Sequence, residues 1–324
     1  MEKDYQEKLE KKQYGVYDTS SVQICSWTKK SLRNEGDCYK KKFYGANTHK
    51  CMEMTPITLF CSNRCIFCWR PTEYMNIEEY KSQKWPEPKD IVDNLLIKRK
   101  KLLNGFGGND KVSKKYLEDA YVPDHYAISL SGEPLLYPKM PELVRHLRDD
   151  RKARTIFIVS NGLETSMIKK LDDEDSLPTQ FYISIPSSNE DLFKKINHSL
   201  YNDGWKRLHE SLEYMKNMQP LKTRKVMRIT LIRGLNDSDE NLEEFKGLID
   251  KYDFDFIEVK SYMHLGYSQK RLKKKNQYEW DELKQKAMQL ETDKFKFEDE
   301  QMESLIVLLK NKDSKHTTLI YPNE

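Results

Sequence analysis

The chain has 324 residues and a formal net charge of only +4, although 33% of its residues are charged. At this length about three quarters of the unfolded surface can be buried, so the core suffices for one large domain or two ordinary ones. No segment reaches about eighteen uncharged apolar residues, and residues 1–12 are charged and contain no apolar leader segment. This composition excludes a membrane-spanning protein, and we expect a soluble protein that stays in the cytoplasm.

Six cysteines fall into two groups of three. Residues 1–24 predict a polar helix or arm, and a group that we call the N-terminal triplet follows it. The N-terminal triplet consists of Cys25, Cys38 and Cys51. The second group, with the spacing C-x3-C-x2-C, follows an apolar run at 56–60 that predicts a strand, and we call it the loop triplet. The loop triplet consists of Cys61, Cys65 and Cys68. Such cysteine usage in a cytoplasmic chain favours metal ligation over disulfide bonds.

Three ligands at each site point to a particular kind of metal chemistry. Thiolates suit iron-sulfur clusters, zinc or Cu(I), and both a closed zinc site and a cubane held by protein alone need four ligands. Three cysteines leave one corner open, where a substrate can be chelated. This is the logic of radical S-adenosylmethionine (SAM) enzymes, which usually carry an aromatic residue before the third cysteine, as Phe67 does here. Zinc completed by a distant His or Cys is the alternative for the loop triplet. Structural thiols, or zinc completed by His49, are the alternatives for the N-terminal triplet.

After the loop triplet, short β-branched runs alternate with amphipathic segments, which predicts parallel βα units. With the run from Ile57 as the first strand, the other predicted strands are 126–130, 155–159, 181–185, 226–232 and 256–259. The predicted helices are 90–104, 138–149, one from about 163, 203–218 capped by Asp203, and 238–252 capped by Ser238. Six strands fit an α/β fold of the incomplete (β/α)6 barrel type. Beyond it we predict helices at 278–290 and 297–309 and a short strand at 317–321.

Polar and glycine-rich residues follow the predicted strands, where sites of barrel and open α/β folds are built. Ser131-Gly132-Glu133-Pro134 follows the second strand, and Ser160-Asn161-Gly162 follows the third. Glycine lets a ligand approach the backbone, and the glutamate can accept hydrogen bonds from an ammonium group. By itself this motif more often forms a turn than a binding site. Directly after the second strand of a cluster-bearing α/β chain, however, it is where radical-SAM enzymes bind the methionine amino group.

Several motifs together resemble one family. They are Cys38-Tyr39-Lys40, Phe43-Tyr44-Gly45, His49-Lys50-Cys51-Met52-Glu53, Cys65-Ile66-Phe67-Cys68-Trp69-Arg70, Ser131-Gly132-Glu133-Pro134 and Phe256-Ile257-Glu258-Val259-Lys260. From about Cys25 to beyond Lys260, the chain resembles the radical-SAM 4-demethylwyosine synthases of tRNA wybutosine biosynthesis, in their short archaeal form. The loop triplet alone indicates only the superfamily, and the second triplet with C-W-R and S-G-E-P makes the resemblance specific.

The resemblance implies a lyase that builds the third ring of a modified guanosine. In this family a [4Fe-4S] cluster on the loop triplet binds SAM and cleaves it to a deoxyadenosyl radical. That radical abstracts hydrogen from the methyl group of N1-methylguanosine in the anticodon loop of phenylalanine tRNA. The carbon radical adds to pyruvate, which loses its carboxyl carbon as the remaining two-carbon fragment closes the ring. The resemblance also implies that the N-terminal triplet holds a second [4Fe-4S] cluster that binds pyruvate, and that Lys40 forms a Schiff base with it.

The SAM contacts also come from the resemblance, whereas basic runs at 98–101 and 270–275 supply most of the predicted tRNA contacts. The SAM contacts that it implies are Gly132, Glu133, Ser160 and Asn161. An enzyme that reaches a stacked anticodon-loop base must splay it out and hold the neighbouring phosphates with basic side chains. The predicted tRNA contacts are Arg70, Lys98, Arg99, Lys270, Arg271 and Lys273. Eukaryotic members carry a flavodoxin-like domain that 24 residues before Cys25 cannot supply, so we expect a separate flavodoxin or ferredoxin as reductant.

The predicted organisation is a monomer with three regions. An N-terminal extension with the second cluster spans 1–55, the partial barrel spans 56–262, and a C-terminal extension at 263–324 packs on the barrel and can contact tRNA. Two alternatives stay open, namely a two-cluster radical-SAM enzyme that acts on a peptide or metabolite, and a non-catalytic RNA-binding protein stabilised by zinc. Anaerobically purified protein distinguishes the latter, because clusters make a protein brown and zinc leaves it colourless.

Overall fold

The computed structural model describes residues 3–75 and 77–322. The α-helices are α1 (Lys3–Glu10), α2 (Ser26–Leu32), α3 (Tyr39–Tyr44), α4 (Pro88–Asn104), α5 (Lys114–Ala120), α6 (Met140–Arg145), α7 (Thr165–Asp173), α8 (Glu190–Asn197), α9 (Gly204–Lys216), α10 (Asp239–Tyr252) and α11 (Trp280–Met288). The strands are β1 (Tyr14–Tyr17), β2 (Ser20–Gln23), β3 (Cys51–Thr55), β4 (His125–Ile128), β5 (Thr155–Ser160), β6 (Gln180–Ser184), β7 (Arg224–Leu231), β8 (Phe256–Ser261), β9 (Phe295–Gln301) and β10 (Ile306–Asn311). Among the described helices, none has both the length and the apolar character that crossing a membrane requires.

All strands join one sheet in the order β1-β2-β3-β4-β5-β6-β7-β8-β10-β9. Its centre is six parallel strands, β3 to β8, that follow one another in chain order with helical connections between them. A β1-β2 hairpin extends β3 on one side, and a β9-β10 hairpin extends β8 on the other, both by antiparallel pairing. The predicted α/β class with six parallel strands is confirmed. The sheet continues across both predicted region boundaries, which stay predictions.

The first parallel strand lies earlier than predicted. It is β3, which begins at Cys51 and ends before Pro56, since proline lacks the N–H that a ladder needs. The predicted strand from Ile57 is instead a loop, in which Ile57 is fully buried and Phe60 is 8% exposed. Its apolar side chains reflect packing beneath the cysteine loop rather than strand pairing.

The C-terminal part also differs from prediction. The predicted helix at 297–309 is the β9-β10 hairpin, turned by Leu305 with a backbone φ of 47°. The apolar run from Ile306 is a strand buried on both faces, and such a run has no periodicity that separates it from a buried helix. The strand predicted at 317–321 is not formed, and Ile320 donates its N–H to the carbonyl of Tyr44 at 3.1 Å.

Two further details of the helices correct the prediction. Helix α8 was not predicted at all. Ser238 does cap α10 by accepting from the N–H of Asn241, but Asp203 makes no capping bond at α9. The Asp203 carboxylate instead accepts from Arg207 Nε at 2.8 Å.

The sheet has two different faces. One carries mostly aliphatic side chains, together with Tyr126 and Phe181, packed under the surrounding helices, and side chains alternate between the faces with the strand period of two. The other, which we call the inner face, is aromatic at Phe157, Tyr182 and Phe256 on β5, β6 and β8. Helix α3 packs on this inner face through Tyr39 and Tyr44. The segment that carries part of the N-terminal triplet is therefore fixed against the middle of the sheet.

Candidate active site

The loop triplet lies in the connection between β3 and α4, and the backbone around it is held from two sides. The N–H groups of Arg64 and Ile66 donate to the carbonyls of Asn197 and Ile196 at 3.0 and 2.9 Å, at the end of α8. On the other side the Arg271 guanidinium donates to the carbonyl of Ile66 at 3.1 Å and to that of Cys68. These protein contacts hold the backbone of the cysteine loop from both sides.

The thiols of the loop triplet are free and influence one another. Burial raises the pKa of Cys61 to about 12, and the nearby charge of Glu133 adds to this effect. Burial raises the pKa of Cys65 strongly, followed by the charges of Cys61 and Cys68. Thiolates in such surroundings need a compensating positive charge, and iron or another soft cation supplies one.

The N-terminal triplet comes from three separate elements. Cys25 precedes α2 and its Sγ accepts from the N–H of Thr28 at 3.4 Å, Cys38 precedes α3, and Cys51 begins β3. Burial raises the pKa of Cys51 to about 12, and the charge of Lys40 opposes that rise while Cys25 and Cys38 add to it. The fold thus brings together three free thiols that are far apart in sequence.

Both triplets fit a cluster by their donor set of three thiols each. No three His, Cys, Asp or Glu side chains among residues 3–75 and 77–322 form a site for a single metal ion. A cubane is wider than one ion, so its ligands need not converge on a point. His49, the predicted zinc alternative, stacks on the Tyr116 ring at 4.0 Å and its Nε2 lies 3.6 Å from an Asp119 carboxylate oxygen.

The four predicted SAM residues converge beside Cys61. The Glu133 carboxylate is 2% exposed and accepts from Ser160 Oγ at 2.8 Å and from the N–H of Asn161 at 2.7 Å. Asn161 Nδ2 donates to Ser62 Oγ at 2.9 Å and lies 3.9 Å from Cys61 Sγ. Burial raises the pKa of Glu133 to about 7, and these hydrogen bonds oppose the rise.

Gly132 joins this pocket to the cysteine loop. Its φ is +72°, and a Cβ added there would lie 1.9 Å from the carbonyl oxygen of Ile57 and 2.7 Å from that of Phe60. The next residue, Glu133, donates its N–H to the same Phe60 carbonyl at 2.8 Å. Only glycine allows these two loops to approach so closely.

Lys40 projects from α3 over the inner face. Its Nζ lies 4.8 Å from the centroid of the Phe157 ring and 5.5 Å from that of Tyr182. The charge of Lys40 also lowers the pKa of Cys38 and Cys51, against the larger opposing effect of burial. The structure therefore places Lys40 between the N-terminal triplet and the strands β5 and β6.

Sequence reasoning missed a polar group on the inner face of β7 and β8. Arg228 donates to a Glu258 oxygen through Nε at 2.9 Å and through a terminal nitrogen at 2.7 Å, and also donates to the hydroxyl of Tyr39 at 2.7 Å. The Tyr44 hydroxyl donates to the other Glu258 oxygen at 2.8 Å. Lys260 lies on the same strand face as Glu258. The available signal was that Glu258 and Lys260 interrupt an otherwise apolar strand.

The predicted tRNA contacts divide by exposure. Arg99 is 1% exposed and donates to the carbonyls of Ala120 and His49 at 3.1 and 3.2 Å, because it lies one turn from buried Leu95 and Leu103 on α4. Arg70 is 7% exposed, donates to the hydroxyl of Tyr14 and lies 3.4 Å from Glu53. Neither guanidinium is presented at the surface, so the structure does not support Arg70 or Arg99 as a contact to tRNA phosphates.

The other four contacts lie in or near the surface. Lys98 is partly exposed and its Nζ is 3.9 Å from Glu10, while Arg271 is occupied by the cysteine loop and Glu73. Lys270 and Lys273 are exposed. Their segment is docked on the cysteine loop, since the N–H of Tyr267 donates to the carbonyl of Trp69 at 3.0 Å.

Two family models match the chain in succession. One describes the radical SAM superfamily and matches residues 55–246, and the other describes wyosine base formation and matches residues 251–311. The S-adenosyl-L-methionine-dependent tRNA 4-demethylwyosine synthase of Methanocaldococcus jannaschii is 38% identical over 312 residues, which cover 95% of this chain and 96% of that protein. The protein of the same name from Pyrococcus horikoshii is 39% identical over 316 residues, which cover 97% and 90%.

A solved structure agrees with these sequences. The structure of TYW1 with a lysine-pyruvate adduct bound superposes with a TM-score of 0.86 at 34% identity and covers 98% of this chain and 99% of that one. The matches extend over both cysteine triplets and the whole sheet, so the resemblance predicted from the motifs is confirmed. The chain belongs to the radical-SAM tRNA 4-demethylwyosine synthase family and is an enzyme of that type.

Proposed function

We propose that this enzyme converts N1-methylguanosine in the anticodon loop of phenylalanine tRNA to 4-demethylwyosine, using a two-carbon unit of pyruvate. The observation that carries the proposal is the position of Lys40 between the N-terminal triplet and the inner face. The name of the archaeal relatives and the lysine-pyruvate adduct of the TYW1 structure support it.

In this proposal the loop triplet holds a [4Fe-4S] cluster that binds SAM, and the N-terminal triplet holds a second [4Fe-4S] cluster. When bound, the first cluster and SAM supply a deoxyadenosyl radical by one-electron reductive cleavage. The Glu133 carboxylate accepts a hydrogen bond from the amino group of SAM. Ser160 and Asn161 orient that carboxylate through their own hydrogen bonds to it. A separate flavodoxin or ferredoxin supplies the electron, in the cytoplasm, to an enzyme that acts as a monomer.

Lys40 performs the covalent step with pyruvate. Its neutral amine attacks the C2 carbonyl, a C–N bond forms, and the carbonyl oxygen leaves as water to give an imine. No oxidant or reductant is consumed in this step. Lys40 thereby holds C2 at the inner face for bond formation with the methyl carbon of the substrate base.

The test is a reaction with anaerobically reconstituted protein, a chemical reductant, SAM, pyruvate and tRNA that carries N1-methylguanosine. Nucleoside mass spectrometry of the digested tRNA should show 4-demethylwyosine, and labelled pyruvate should place two of its carbons in the product. Matched tRNA without the methyl group is the control. Cleavage of SAM without any modified nucleoside would contradict the tRNA substrate and favour a peptide or metabolite.

Binding of SAM should weaken as pH falls below about 7. The raised pKa of Glu133, about 7 through burial, means that the carboxyl is protonated at lower pH and must lose its proton to pair with the SAM amino group. The dissociation constant should rise by up to about tenfold per pH unit below that value and level off between it and about pH 8, where the α-amino group of SAM itself loses its proton. Equilibrium dialysis of SAM against reconstituted protein measures this, and Glu133→Gln should bind weakly with no such slope. An equal slope in Glu133→Gln would assign the titration to another group.

Exposed lysines beside the cysteine loop should contribute to tRNA affinity. Lys270→Ala and Lys273→Ala should each weaken tRNA binding and reduce the slope of log K against log salt by about one, the value for one lost phosphate contact. Lys206→Ala is the matched control, since that side chain is 76% exposed on the outer helix α9. Filter binding at several salt concentrations gives the slopes. Equal salt-dependence slopes in all three variants would show that tRNA binds to another surface of the protein.

A further inference from the structure

The cations on or over the inner face include Lys40, Arg224, Arg228 and Lys260, and both arginines are occupied. The Arg224 guanidinium lies 4.7 Å from the centroid of the Phe256 ring and donates to the side-chain oxygen of Gln180 at 2.8 Å and to the carbonyls of Thr317 and Thr318 at 2.6 and 2.7 Å. The Arg228 guanidinium donates two hydrogen bonds to Glu258 and one to the Tyr39 hydroxyl. Lys40 and Lys260 are different. Neither makes an ion pair with a carboxylate of the residues that the structure describes.

Lys260 is held in place but retains hydrogen-bonding capacity. Its Nζ donates to the carbonyl of Ser304 at 2.6 Å and lies 5.8 Å from the centroid of the Tyr39 ring. An ammonium has three N–H donors, so one bond to a carbonyl leaves two for an anion. Tyr39 lies between Cys38 and Lys40 in sequence, which places Lys260 beside the segment that carries the proposed nucleophile.

A 2-oxo acid makes two demands on such a site. Its carbonyl needs a neutral amine, and its carboxylate needs a cation when it leaves water. One lysine cannot satisfy both demands at once, because the attacking amine must be unprotonated. Arg228 is occupied by Glu258, and Arg224 by Gln180 and two carbonyls of the C-terminal segment. Among these inner-face side chains of the described residues, Lys260 is therefore the ammonium group left to bind an anion beside Lys40.

We propose that Lys260 binds the carboxylate of the 2-oxo acid while Lys40 forms the imine with its carbonyl carbon. This inference rests on the proposed function, since it assigns the second anchor of the same substrate. Burial and the neighbouring Arg228 lower the pKa of Lys260 to about 8, which still leaves the amine protonated at neutral pH. A bound substrate carboxylate supplies the negatively charged partner that this ammonium group lacks.

The experiment compares a charged and an uncharged 2-oxo compound. Reconstituted protein is incubated with pyruvate or with methyl pyruvate, the imine is reduced with cyanoborohydride, and the modified lysine is mapped by peptide mass spectrometry. Lys260→Met should raise the half-saturating concentration of pyruvate by about tenfold or more and leave that of methyl pyruvate unchanged. Lys260→Arg should restore most of the affinity for pyruvate. Lys225→Met is the matched control, since Lys225 is a buried lysine on the opposite face of β7 that donates to one carbonyl, that of Met215 at 3.2 Å.

Each other outcome overturns the inference in a recognisable way. An equal loss for both compounds would show that Lys260 only supports the fold, and no loss would assign the carboxylate to another partner. An adduct on the Lys260 peptide would make that residue the nucleophile. If the wild-type protein forms no adduct on any lysine, the imine step of the proposed function is refuted. The role of Lys260 is then refuted as well, because it depends on that step.

Discussion

Replacing all three cysteines of the N-terminal triplet with alanine should halve the iron content of the reconstituted protein and abolish product. Two cubanes give about eight iron atoms per chain, and one gives about four. The loop triplet draws its support from α8 and Arg271, not from the N-terminal triplet, so its cluster should survive. Iron and sulfide analysis, with nucleoside mass spectrometry of tRNA, measures both effects.

The complementary variant separates the two clusters. The N-terminal variant should still cleave SAM to 5′-deoxyadenosine without modifying tRNA, whereas alanine at Cys61, Cys65 and Cys68 should abolish cleavage altogether. Four irons in both the wild-type protein and the N-terminal variant would mean that the N-terminal triplet holds no cluster. The proposal of a pyruvate site beside a second cluster would then lose its main support.

Gly132→Ala should disrupt the SAM pocket and the cysteine loop together. The new Cβ would lie 1.9 Å from the carbonyl oxygen of Ile57, and a backbone atom cannot swing away as a flexible side chain does. The positive φ adds about 1–2 kcal/mol of strain for any residue with a Cβ. We expect the free energy of unfolding to fall by about 2–4 kcal/mol and SAM cleavage to fall by at least about a hundredfold.

A matched glycine provides the control for that substitution. Gly247 lies within α10, and nothing comes within 4 Å of a Cβ built there. Gly247→Ala should therefore leave SAM cleavage unchanged and stabilise the protein by up to about 1 kcal/mol through helix propensity. Thermal unfolding and deoxyadenosine formation distinguish the two variants. Normal cleavage in Gly132→Ala would show that the two loops can separate without loss of the SAM site.

The predictable part of the site was the part that depends on short-range spacing and on strand ends. The loop triplet is compact in sequence, and the carboxyl ends of parallel strands meet at one edge, so Glu133 and Asn161 were expected to be neighbours. The structure places both beside Cys61. The six parallel strands followed from alternation alone, even though the first was displaced by several residues.

The unpredicted part depends on packing that no local pattern encodes. Arg99 belongs to a basic run, but its phase on α4 turns it into the core with Leu95 and Leu103. Lys260 lies near the proposed nucleophile only because β8 directs its side chain to the inner face beside α3. The residues of α3 are more than two hundred positions earlier in the sequence, so no local pattern shows this proximity. Strand β10 was missed because a strand buried on both faces has no amphipathic period.

The open sheet has consequences for solubility. At one end β1 is covered by α1 and α4, whereas β9 at the other end carries Lys296, Glu298 and Asp299 along an edge with most side chains exposed or half-exposed. A strand from another molecule that paired there would have to strip water from these charges. The charged edge of β9 therefore discourages sheet-to-sheet aggregation.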